Sequence, residues 1–147
     1  MAKRYAKDVW VGSSGFAGVP RKVMKSADYR SLSGNAVKLL LELSNQFKGK
    51  QAANNGDLTC AWSLLNKRGF NSKATIQRSK IELLKRHMIT EVRKGIAGVD
   101  GRRVCSLYAL TWQPLDEQFY PDGSPKHNKA ATTIPLRNGW CENTITG

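Results

Sequence analysis

Between Thr59 and Thr111 the chain is punctuated so closely that only short elements fit, and their order constrains the fold more than any other feature. Thr59 is placed to cap a helical stretch, CAWSLLNKR, with Trp62 and Leu65 turned toward a core. Gly69 supplies the left-handed residue that ends it. Phe70-Asn71-Ser72 is then too short for anything but a turn, and Ser72 is the next cap. The stretch that follows, KATIQRSKIELLKRH, has two faces at helical spacing. Ile76, Leu83 and Leu84, with Ser79 and the Lys80 stem, share one. Lys73, Ala74, Gln77, Arg78, Ile81 and Lys85 lie opposite. Residues 88–93 read as a strand. Gly95, Gly98 and Gly101 punctuate a loop with Asp100-Gly101 as its hairpin turn, and residues 104–111 return as an alternating strand.

Upstream, Pro20 opens a short turn or helix. Ser33 caps a helix predicted over about 34–47, whose buried stripe is read as Val37, Leu40, Leu41, Ser44 and Phe47. Asn54 and Asn55 are read as turn residues, and Leu58-Thr59 as one short strand. The order is therefore helix, short strand, helix, tight turn, helix, strand, glycine-rich hairpin, strand. That is an α+β chain in winged helix-turn-helix order. Residues 1–15 form a basic N-terminal arm, 16–113 the winged helix-turn-helix domain, and 114–147 an irregular C-terminal tail. The tail is expected to be extended or partly disordered, with Trp140-Cys141 docking back on the body. Trp10, Trp62, Trp112 and Trp140 are expected as core or anchor residues rather than stacking platforms.

Charge narrows the function. The 147 residues carry 24 Lys and Arg against 11 Asp and Glu, a net charge of +13. The excess is uneven: +6 over residues 1–58, +8 over 59–103 and −1 over 104–147. A polyanionic partner is expected, nucleic acid before an anionic membrane surface. With 40% hydrophobic residues a packed core is within reach. No apolar run is long enough to span a membrane. Cys60, Cys105 and Cys141 are far apart and only His87 and His127 could join them. This reads as reduced thiols in a cytoplasmic protein without a zinc site or cofactor. No phosphate-binding glycine loop and no paired-carboxylate motif is present, so an enzyme is not expected.

The stretch from about Phe16 to Trp112 resembles winged-helix proteins of phages and plasmids, including the DNA-binding domains of replication initiators. The residues that carry this are YRSLSGNAVKLLLEL, NNGDLTCAWSLLNKRGFNSKATIQRSKIELLKRHMI and RRVCSLYALTW. The chain departs from the pattern at His87, where a glycine is expected, and at Ser79 and Lys80, where larger apolar residues usually pack. The reading helix then contributes Ser72, Lys73, Thr75, Gln77, Arg78 and Lys85 to double-stranded DNA, with Gln77 and Arg78 suited to adenine and guanine edges. Arg93, Lys94, Arg102 and Arg103 on the wing, and Lys3 and Arg4 on the arm, are expected at phosphates or the minor groove. The expected function is sequence-specific DNA binding in a mobile element, as transcriptional regulator or replication-origin binder. A homodimer would read a palindrome and a monomer repeated direct sites. The alternative is a protein-interaction module on the same scaffold, an adaptor or inhibitor docking on a host complex.

Overall fold

A computed structural model describes residues 15–49, 51–97 and 103–146, with backbone alone at residues 96, 97 and 103. The described chain is α+β. Its elements are α1 (Arg21–Met24), α2 (Ala27–Arg30), α3 (Gly34–Gln46), α4 (Trp62–Leu65), α5 (Lys73–Lys85), β1 (Ile89–Arg93), β2 (Ile96–Ala97), β3 (Arg103–Val104) and β4 (Leu107–Leu110). This order is compatible with a winged-helix layout. The basic arm through Ser14, including Lys3, Arg4 and Trp10, lies outside the described residues, as do Asp100-Gly101 and Arg102.

The two long helices start where their caps dictate. Ser33 Oγ accepts from the Ala36 amide and Ser72 Oγ from the Thr75 amide. Glu82 of α5 reaches back to the Ser33 amide and hydroxyl, tying the start of α3 to the last turn of α5. The buried stripe of α3 is Ala36, Leu39, Leu40, Leu43 and Ser44. It replaces the expected stripe in part, because Val37 and Phe47 are only half-buried and Leu41 is exposed. In AVKLLLEL neighbouring phases differ by one residue, about 100° of rotation, and either gives an apolar face. Packing against α5 selects between them.

The stretch from Cys60 to Arg68 is not one helix. Thr59 does not cap it: its amide and carbonyl pair with the Gln46 side chain at 2.8 and 2.9 Å, which holds Thr59 extended. Its hydroxyl accepts from Ala61 N instead. After the single turn of α4 the chain tightens, with Lys67 and Arg68 amides bonding three residues back. Gly69 then turns at φ +92°, as its position required.

At the end of α5, His87 stands at φ +55°. Its amide donates to Leu84 O and that of Met88 to Leu83 O, the paired bonds of a glycine-type stop. A side chain in this conformation costs about 1 kcal/mol, and the His87 imidazole is exposed. His87→Gly should therefore raise stability in urea denaturation by about 1 kcal/mol. A loss of stability would show that the imidazole itself holds the cap.

β1 pairs antiparallel with β4, Ile89 opposite Leu110, with a bulge between Glu91 and Arg93. The returning strand, expected as one run, is broken into β3 and β4, and β3 pairs separately with β2. Gly95 sits at the break. A Cβ there would meet Ser106 N and Val104 O at 2.8 Å, so only glycine lets the two backbones pass. In place of the expected short strand Leu58-Thr59, Leu58 alone makes a single bridge, to Tyr108 on the other edge of β4.

All four residues of β4 are buried because both faces are covered. Tyr108 and Leu110 join the main core with Leu39, Leu43, Leu65, Ile76 and Leu83. Leu107 and Ala109 point the other way, onto Val92 and Leu115. Leu115 belongs to the tail, so part of the tail serves as a lid for the second face. From Pro114 on, the described residues form no helix or paired strand beyond one bridge between Phe119 and Pro125. Even so, this segment is fastened to the body. Asp116 N bonds to Asn55 O, and Arg137 N to Thr111 O. Ala27 N donates to Cys141 O. Trp62, Trp112 and Trp140 each pack half-buried against the core.

Candidate nucleic-acid interface

The N-terminal half of α5 is held from two sides. Its buried stripe, Ile76, Ser79 and Leu83, sits against the core. Trp62 at the start of α4 lies 5.9 Å beneath the Lys73 ammonium, a cation–π contact that joins the starts of the two helices. Lys73, Gln77, Arg78, Ile81 and Lys85 are exposed on the outward face, as their spacing required. Thr75 is half-buried and Ser72 is occupied as the cap. Arg78 makes only a local contact, 3.5 Å to Thr75 Oγ1.

The carboxylates explain why this face stays uncompensated. Asp28 binds Arg137, Asp57 binds Lys126, and Glu42 lies 3.5 Å from Arg68. Glu82 is committed to Ser33, and Asp116 accepts the Asn55 amide. Among the described residues the ion pairs are Asp28–Arg137, Asp57–Lys126 and Glu42–Arg68, and no carboxylate pairs with Lys73, Arg78 or Lys85. A surface that spreads its charges for solubility would interleave signs; this one segregates them.

Beside this face runs a shallow notch lined by Cys60, Trp62, Lys73, Ile76, Gln77 and Lys80. It adjoins a second, between α5 and the hairpin, lined by Thr59, Cys60, Lys80, Cys105, Ser106 and Tyr108. Lys80, whose stem shares the inward face by spacing, is half-buried and opens onto both notches. Burial pushes the Cys60 thiol up to about 12, only partly offset by the Lys80 charge, so it stays protonated at neutral pH.

The wing residues divide. Lys94 is exposed. Arg93 is spent inside the protein: Nε and Nη2 donate to Cys105 O at 2.9 and 2.7 Å. Its Nη1 donates to Tyr120 Oη at 2.6 Å and Lys126 O at 3.2 Å. Arg93 thus joins the base of the hairpin to the tail. Two of its partners, Tyr120 and Lys126, lie on a segment with no sequence motif to announce them. For Arg103 only the backbone is described, paired in β3.

Asp28 and Asn55 are the polar residues that reading the sequence missed. Asp28 is fully buried, accepting from Arg137 Nη2 and, at 2.7 Å, from the Thr146 amide. Burial raises its pKa, but the Arg137 and Thr146 hydrogen bonds outweigh that and hold the carboxyl below its usual value. No group of metal-binding side chains is found among the described residues. Nor is any of their helices long and apolar enough to cross a membrane. Compared with known protein families, curated proteins and solved structures, the chain matches none of them.

Proposed function

We propose that the protein binds double-stranded DNA, with α5 as the reading helix of a winged helix-turn-helix. The observation that carries this is the unmatched cationic face of Lys73, Arg78 and Lys85 around Gln77, on a helix that core packing and Trp62 hold rigid. A rigid, amphipathic helix with its polar face outward fits the major groove, and its side chains carry the donors that read base edges. Lys94, exposed at the base of the hairpin, adds a phosphate contact. Arg93 has no part in this surface, because its donors are used internally. Regulator and origin binder use the same contact chemistry, and either role suits a cytoplasmic protein of a mobile element.

Fluorescence anisotropy of a labelled duplex across a salt series tests the electrostatic premise. Neutralising about 6–8 phosphates gives a slope of log affinity against log salt of about −5 to −7. A flat slope, or no binding at low salt, would instead favour a protein partner for the same face.

A further inference from the structure

Ile81 is out of place. At about 100° per residue it falls at the middle of the outward face of α5, between Gln77 and Arg78 and opposite the buried stripe of Ile76, Ser79 and Leu83. It is 52% exposed, the one exposed large apolar side chain of this helix. Helix formation does not ask for it: a β-branched residue is a poorer helix former than the Lys, Gln or Arg around it. Packing does not ask for it either, because the core lies on the other side. A second copy of the chain is a poor occupant. It would bring Lys73, Arg78 and Lys85 against their own kind, and the one carboxylate of the helix, Glu82, is already engaged by Ser33.

We infer that Ile81 reads the 5-methyl group of thymine in the major groove, as the apolar element of a site whose polar elements are Gln77 and Arg78. The inference rests on the DNA-binding reading and adds a base preference to it. Thymine is the base that offers an apolar group on the major-groove edge. An exposed isoleucine bracketed by cations that hold the phosphates would be pressed onto that edge. Charge complementarity chooses the occupant, since the partner must be polyanionic and still present an apolar spot.

The test uses the full chain and duplexes selected by it from a random-sequence library. Each thymine of the selected duplex is replaced in turn by uracil, which removes only the methyl group. At one or two positions the replacement should weaken wild-type binding about three- to fivefold, the worth of one buried methyl. Ile81→Ala should bind the thymine and uracil duplexes equally, with its thermal unfolding unchanged or raised. If uracil is tolerated everywhere, or weakens wild type and Ile81→Ala alike, the thymine inference falls and DNA binding stands. If Ile81→Ala alters sedimentation while leaving DNA affinity intact, the face is a protein contact and the inference also falls. If no duplex is enriched, the sequence-specific reading beneath it falls first.

Discussion

Asn55→Ala should lower the unfolding free energy by about 3 kcal/mol, although the residue sits in a loop that reads as an ordinary turn. Asn55 is completely buried. Its Nδ2 donates to Leu110 O at 3.0 Å and Pro114 O at 2.9 Å, and its Oδ1 accepts from the Leu110 amide at 2.8 Å. Its own amide and carbonyl bond to Asp116. One side chain thus satisfies the backbone at the end of β4, where the sheet hydrogen bonds stop and the tail begins. Truncation leaves the buried Leu110 amide and carbonyl without this partner. Each orphaned group costs about 1–3 kcal/mol. Urea denaturation gives the value directly; a loss under about 1 kcal/mol would mean that water or a shifted loop replaces the amide.

Arg137→Ala should cost about 3 kcal/mol at neutral pH, because it strands the Asp28 carboxylate in the interior. Arg137 also stacks 3.9 Å over Trp140 and donates to Arg86 O, so it clamps the tail to both α2 and the end of α5. The pH dependence has a definite sign. In the native protein the Asp28 pKa is depressed, so its contribution is present above the unfolded-state value of about 3.9 and is lost as pH falls through the lower folded value. In Arg137→Ala the carboxyl is buried without its cation and its pKa rises, so acidification should recover stability rather than remove it. The double variant Asp28→Asn with Arg137→Ala should be more stable at pH 7 than Arg137→Ala alone. Denaturation curves of the three proteins between pH 3 and 7 check this (these limits bracket roughly the carboxylate range). A double variant as unstable as the single one would mean that Arg137 acts through its contacts with Trp140 and Arg86 rather than through Asp28.

Local signals carried much of the architecture. Ser33, Ser72 and Gly69 each stand where their chemistry put them, and α5 shows the two faces its spacing required. These features depend on residues three or four apart, which a sequence displays. The phase of α3 was not legible, because a run with Leu39, Leu40 and Leu41 in succession offers adjacent stripes of equal apolarity. Nor were the roles of Asn55, Asp28 and Arg93. Asn55 meets Leu110 and Pro114, 55 and 59 residues away. Asp28 meets Arg137 across 109 residues. Turn chemistry explains NNGD locally and hides the fact that its second asparagine is core. The polar tail gave no sign that Leu115 would cover β4, since one leucine makes no pattern. At the candidate interface the outward residues of α5 were legible from periodicity. The absence of carboxylate partners was not, because it depends on where Glu82 and the other acids are spent in three dimensions.

On the DNA-binding proposal, the outward face of α5, rather than net positive charge, holds duplex DNA. Two triple variants with the same charge change separate these. Lys73→Ala, Arg78→Ala and Lys85→Ala strip the α5 face, while Lys22→Ala, Lys25→Ala and Arg30→Ala strip exposed cations from the α1–α2 segment. Affinity for one mixed-sequence duplex is measured by anisotropy at a fixed ionic strength. The α5 variant should bind about a hundredfold more weakly, with a salt slope shallower by about 3 units, while the α1–α2 variant stays within about fivefold of wild type. Equal losses in both variants, or none in the first, would contradict α5 as the DNA-binding face.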